Sequence, residues 1–460
     1  MACNPRASVS QERITLIKEI TCGVTPSNPA YQVVPHLAGS RLQVQRTFEE
    51  TQEIDGTRQG GKLLPGTKQI SGPILTNLVN ELAFDFLMES AIGGLLTPVN
   101  LTVSVAYDSG AKTATRGAGS FLTDPFATRL RVGDRVAPVG SVNNRTTLNG
   151  AIGAGDQTIT LTSAANFPTS GVAAIDSAGV IEFVKYTGKA GNQLTGCTRG
   201  VWDSIAASHS NGDAVYPVWT ITNITATVLT FAGDTVVTES SVSTSFKSNR
   251  KRAASGTQRV RFSVEKANLD QSLFQTFKGV EVNDVEIAIG IGQGQATFNM
   301  FGQNNTTAQE GGATYTPKRG SSPMTGTVNG TLLTEAGVTL SGVRQATIRI
   351  TNQREGQFQL GTDETDHVSE GNFGVEVQME IYRGDLARLN NYLNGVRQAF
   401  VFQVKEPASG DALRWTLGNA VYRSNDEGAA GQTITDNCAL YAEKDDLGTG
   451  SKMLFEKIFG

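Results

Sequence analysis

The chain has 460 residues, 51 of them glycine, with 18% charged residues and a formal net charge of −4. That length exceeds one ordinary core and predicts two to four domains, while the apolar content excludes wholesale disorder. The mild acidity argues against a general nucleic-acid binder, which is usually basic. Abundant Gly, Thr and Val with few charges fit short strands joined by turns, a mainly β chain. Cys3, Cys22, Cys197 and Cys438 are scattered without CxxC spacing, so neither disulfides nor a zinc site is expected. The first residues, MACNPRASVSQERITLIKE, hold no apolar signal core, and no run is long enough to span a bilayer, so no membrane partner is expected.

Residues 1–34, rich in Pro, Ser and Asn, read as an arm. RLQVQRTFEETQEI from Arg41 begins with strand-like alternation, and Asp55–Gly66 is a loop full of turn residues. Gln69–Val79 predicts a second strand, and Leu82–Gly94 a helix stopped by its glycines. A similar order returns three hundred residues later. Gln345 opens a strand, Gly361–Gly371 is a loop, GNFGVEVQMEIY alternates as a strand, and Gly384–Gly395 is a short helix. Gly56 and Gly66 map onto Gly361 and Gly371 at one offset of 305, while Asn283 and Thr297 map onto Asn419 and Thr433 at 136. The shared order predicts one β fold used twice: residues 35–104 with 232–315, then 316–460.

Foreign material interrupts the first copy. RLRVGDRVAPVG and VWTITNITATVLTF predict a β-module over 105–140 and 218–231, itself interrupted by a nested small β-domain at 141–217. Such nesting is tolerated at surface loops and marks the projecting side of a molecule.

Catalytic chemistry is thin. His36, His209 and His367 lie far apart without a metal or nucleophile motif, and Gly290–Gly294 reads as a hairpin turn rather than a phosphate loop. Asp363, Glu364 and Asp366 beside His367 have oxygen ligands for a cation but lack a calcium-loop pattern, so a solvated or salt-bridging loop is the preferred reading. No enzyme activity, catalytic residue, metal or cofactor is assigned. One basic run, with Lys247, Arg250, Lys251 and Arg252, reads either as a solvated loop leading into the strand RVRFSVEK or as an electrostatic arm for phosphate or an acidic neighbour.

QRTFEETQEIDGTRQGGKLLPGTKQISGPILTNLV with FDFLMESAIGG, and RFSVEKANLDQSLFQTFKGVEVNDVEIAI, resemble segments of siphophage tail tube proteins. GSFLTDPFATRLRVGDRV with WTITNITATVLTF is similar to a β-module of such tail proteins, and LTGCTRGVWDSIAASHSNGDAV to small modules of phage structural proteins. The resemblance implies a duplicated tail-tube β-sandwich or barrel fold with short helices and nested β-domain insertions. It implies a virion tail subunit made in the bacterial host cytoplasm, stacking in rings around a channel for DNA and the tape-measure protein. DNA would pass without specific binding, and the tail terminator and distal tail proteins would be neighbours.

If one chain carries two folds, three chains close a pseudo-hexameric ring, the alternative being six. The family's stacking loop falls here on Asp55, Arg58 and Lys62, with Asp363, Glu364, Asp366 and Glu370 in its acidic second copy. Alternating positions Glu49, Gln52, Glu376 and Glu380 are lumen-facing candidates. Two rivals remain: a baseplate hub or distal tail protein of the same duplicated fold, and a carbohydrate-binding tail protein using Tyr186, Trp202 or Trp219.

Overall fold

In the segment GVEVQMEIY, Val375, Val377, Met379 and Ile381 are buried while the residues between them are not. This period of two commits one face of a strand to a core and the other to solvent. The same logic repeats through a computed structural model that describes residues 7–51, 62–125, 128–232, 236–327, 331–445 and 450–460. The protein is mainly β, with 55% strand against 5% helix. It divides into two units, residues 1–96 with 253–457, and residues 97–252 with 458–460.

Eight strands, to which further strands are paired, form the central run of the first unit's sheet. They are β1 (Gln43–Glu50), β2 (Leu63–Asn77), β3 (Leu273–Gly290), β4 (Gln295–Gly302), β5 (Val343–Thr351), β6 (Gly374–Tyr382), β7 (Ala412–Ala430) and β8 (Thr433–Ala442). All neighbours are antiparallel, in the order β1-β2-β4-β3-β5-β6-β8-β7. The first four and the last four therefore follow one pattern, and the β3–β5 ladder joins them. Their irregularities coincide as well. The β3–β4 ladder shifts register between Val282 and Asp284, and the β7–β8 ladder between Tyr422 and Ser424, an offset of 140. Ile74 of β2 faces Phe298 as Met379 of β6 faces Cys438, an offset of 305. The offset of 136 drawn from Asn283 and Asn419 is thus four residues short. Bulges are fixed by backbone pairing, whereas single identities are not.

Next in the chain after β2 comes α1 (Leu82–Ile92). Gly93 ends it with φ 65°, donating its N–H to Glu89, and a Cβ there would sit 2.6 Å from the Gly256 carbonyl oxygen. Only glycine takes this left-handed close approach cheaply. Phe84, Leu87, Met88 and Ile92 are fully buried in the core that β3, β4 and β5 share. The second helix, α2 (Ala387–Leu393), differs sharply: none of its residues is buried.

The second unit holds a closed six-stranded barrel. Thr97–Asp108 pairs with Thr113–Arg116, then Val228–Phe231, Trp219–Ile224, Arg135–Val139 and Glu239–Ala254, which returns to the first strand. Closure leaves no sheet edge. Trp219 fills the middle, packed on Tyr107 and Phe231 at 5.9 and 5.1 Å. Between Val139 and Trp219 the chain builds a five-stranded and a three-stranded sheet around Ile175, Val184, Leu194 and Val215. Within the five-stranded sheet Glu182 ties down the strand Thr198–Val201 and the loop after it: it accepts from Arg199 (2.7 and 2.8 Å), the backbone of Gly200 and Ala207 (both 3.1 Å), and pairs with His209 at 2.8 Å. Burial pushes its carboxyl up, but the hydrogen bonds from Arg199, Ala207 and His209 outweigh this and hold it below its ordinary range.

Candidate functional site

The loop Gly361–Gly371 is placed by a small hairpin, Glu355–Gln357 against His367–Ser369, whose Val368 is buried. At its tip Asp363 reaches the base of the β1–β2 hairpin. Its carboxylate meets Arg46 at 3.0 Å and Lys68 at 2.9 Å, and its carbonyl accepts the Lys68 N–H at 2.6 Å. The Lys68 hydrogen bond first, and the Arg46 charge with it, hold the Asp363 carboxyl below the usual carboxylate range. At the other end Glu370 pairs with Arg259 and Arg354, at 3.4 and 3.3 Å. Asp366 accepts from Gln359 at 2.9 Å, and Glu364 is half-buried. The acidic loop is therefore tied at both ends to its own chain. Among the described residues no three His, Cys, Asp or Glu side chains gather as a metal site.

Asp55, Arg58 and Gln52 lie outside the described residues. Lys62 is exposed, and its backbone closes the β1–β2 hairpin against Thr51. Glu49 is exposed on β1, and Glu376 and Glu380 share the face of β6 turned away from the core. There Glu376 pairs with Arg423 at 2.6 Å, and Glu380 with Arg344. Gln345, Thr347, Gln378, Asp426 and Asn437 continue this polar face across neighbouring strands. The sheet thus has one apolar face on the core and one polar face of mixed amides, hydroxyls and carboxylates.

The basic run is not a loop, as the sequence reading had it. It lies within the strand Glu239–Ala254, where Arg250 is 1% exposed and pairs with Asp134 at 2.7 Å. Lys251 pairs with Asp203 at 2.9 Å, Arg252 is buried, and Lys247 lines a cleft with Phe183 and Trp202. Buried, paired guanidiniums are unavailable to an external phosphate. Tyr186 and Trp219 are core residues, and Trp202 packs on Phe183 at 4.8 Å with 9% of its surface exposed. None of the three stands open to a sugar.

The sequence reading missed the two ends of the eight-stranded run. Seven of the eight residues of β1 are exposed, Phe48 among them, and so are four of the eight residues of β7 from Arg423 to Ala430, the other four being half-buried. A sheet whose terminal strands are long and uncovered belongs to a protein that is completed by assembly. The chain belongs to the phage tail tube protein family, whose model matches residues 10–442. It is a structural tail tube subunit of a bacteriophage virion, and the family assembles into a tube. No curated protein matches it. No helix among the described residues is long and apolar enough to cross a membrane.

Proposed function

We propose that this chain is the repeating subunit of a siphophage tail tube, each chain supplying two tube folds so that three chains close a pseudo-hexameric ring. The observation that carries this reading is the twofold strand order, β1-β2-β4-β3 and β5-β6-β8-β7, with bulges at matching places and a ladder joining one set to the next. On this reading the first fold is drawn from residues up to 96 with 253–315 and the second from 316–457, while the inserted β-modules decorate the outside. The expected boundaries at 104 and 232 move because Thr97–Asp108 and Glu239–Ala254 are strands of the six-stranded barrel, which is the inserted β-module. The polar sheet face that carries Glu49, Glu376 and Glu380 lines the channel. Mixed polar and acidic walls let DNA and the tape-measure protein slide without adhering.

Rings stack through the loops Asp55–Gly66 and Gly361–Gly371. Because Asp363 and Glu370 are engaged within the chain, Glu364 and Asp366 carry the acidic contact to the next ring. Reversing Arg58 and Lys62 to Glu blocks stacking and leaves the fold intact; normal tubes from that variant would remove the charge argument. Electron microscopy of the purified protein with rotational averaging tests the whole reading. Hollow tubes of threefold rings are expected. Sixfold rings of whole chains would keep the tube and remove the two-folds-per-chain argument, and rings that never stack would make the protein a hub.

A further inference from the structure

Three members of the basic run in the strand Glu239–Ala254 are spent within the protein. Arg250 pairs with Asp134 at 2.7 Å, Lys251 pairs with Asp203 at 2.9 Å, and Arg252 is 4% exposed. Lys247 differs. It is half-buried, and among the described residues no carboxylate pairs with its ammonium. Across the ladder to the strand Thr97–Asp108, Lys247 faces Asn100 and Lys251 faces Pro98. Four steps along one strand are thus matched by two along the other, a bulge that opens the ladder. Within it Ser248 is 6% exposed and its hydroxyl has no partner, and the Asn100 side chain makes no hydrogen bond among the described residues.

These groups line a cleft of about 290 Å³ that lies wholly within the second unit. Its apolar wall is Ile181, Phe183, Trp202 and Phe459. The backbone of Phe459 is fixed at both ends, its N–H donating to the Asn249 carbonyl at 3.0 Å and its carbonyl accepting from the Asn249 amide at 2.6 Å. Trp202 and Asp203 take left-handed φ values of 58° and 57°, in the turn that the Ser204 N–H closes onto the Val201 carbonyl. Asparagine and glycine suit such a turn. Tryptophan is held there against its backbone preference, with Phe183 on its ring and Lys251 on the neighbouring Asp203. Strain of this sort collects at ligand clamps.

We propose that this cleft binds a carboxylate carried on a compact apolar body. Lys247 takes the charge, Asn100 and the Ser248 hydroxyl offer further donors, and Ile181 with the Phe183–Trp202 pair receives the apolar part. The charge count sets one negative charge: Asp134 answers Arg250 and Asp203 answers Lys251, which leaves a single ammonium uncompensated. A neutral ligand would strip water from that ammonium and return nothing for it. The volume stands at the low end of small-molecule sites and suits a ligand of about ten heavy atoms. A free organic acid and the carboxylate at the end of a polypeptide present the same chemistry.

The test is titration of the full chain with phenylacetate and with its neutral isostere phenylacetamide, followed by tryptophan emission. Trp219 and Trp415 are 0% exposed and Trp202 is 9% exposed, so a ligand in the cleft reports through Trp202. Phenylacetate should saturate with a Kd of roughly 1–10 mM, and the amide should bind at least about tenfold more weakly. Lys247→Met should abolish the preference for the acid, and Lys247→Arg should keep it. Lys185→Met, at an exposed lysine of the nested domain, should leave it unchanged. N-acetylphenylalanine binding more tightly than phenylacetate would assign the carboxylate to a polypeptide end, and binding more weakly would assign it to a free acid. The acid–amide comparison is made on the native chain and needs no variant to fold. No saturation by about 50 mM phenylacetate, equal binding of acid and amide, or an equal loss in the Lys185 variant would overturn the proposal.

Discussion

Replacing Glu182 by Gln tests whether the nested β-domain is held by one buried charge. The carboxylate is 2% exposed, and the guanidinium it binds at 2.7 and 2.8 Å is 5% exposed. Glutamine keeps the shape but leaves that guanidinium without its counter-charge. Breaking one partner of a buried pair costs about 3–5 kcal/mol. A domain of this size is stable by roughly 5–10 kcal/mol, so the loss opens the segment locally without abolishing it. Hydrogen exchange of the full chain reads this directly: amides between Glu182 and His209 should exchange at least about a hundredfold faster, while β3–β5 amides stay unchanged. The pH dependence has a definite sign. Because the folded carboxyl is held below its ordinary value, its contribution is full above the unfolded pKa of about 4.3 and fades as pH falls through the folded value. The Gln variant should lack that acid transition. Exchange within about threefold of the native rate would refute the argument, because it would mean the guanidinium finds equivalent partners without Glu182.

Trp219→Ala empties the centre of the six-stranded barrel and should destabilise it by about 3–5 kcal/mol, read as an earlier melting transition by calorimetry. Gly93→Ala places a Cβ against the Gly256 carbonyl at a left-handed φ and should cost at least ~1–2 kcal/mol in denaturant unfolding. Asp363→Asn removes the anchor to Arg46 and Lys68, so amides from Gln357 to His367 should exchange faster, with assembly still measurable by microscopy. In the native chain the same release should set in only as pH falls through the depressed Asp363 carboxyl, since the anchor is present above its unfolded pKa.

The parts of this fold governed by local rules were legible in the sequence. The helix of LAFDFLMESAIGG announced its end by Gly93, and the alternation in GVEVQMEIY announced a strand with one buried face. What failed depended on distant partners. Nothing near Arg250 reveals Asp134, so a buried strand read as a charged loop. A salt-bridging loop was one reading of Asp363, but its partners Arg46 and Lys68 could not be named because they lie some three hundred positions earlier. The four-residue error in the repeat has a similar origin, for a bulge leaves no fixed residue signature. The exposed edges of β1 and β7 had none either, because an unpaired strand and a paired one are written in the same residues.

The β3–β5 ladder has a consequence beyond its hydrogen bonds: it lies within a single polypeptide. Two separate partners forming that seam would surrender about 4–15 kcal/mol of translational and rotational freedom, whereas a tethered pair meets at millimolar-scale effective concentration. In the threefold ring proposed above, half the seams would then arrive ready-made with each molecule, always in one-to-one proportion. A covalent pair is also released from sameness. Its two members need not remain self-complementary, so one can keep Lys62 in its loop while the other turns acidic at Glu364 and Asp366.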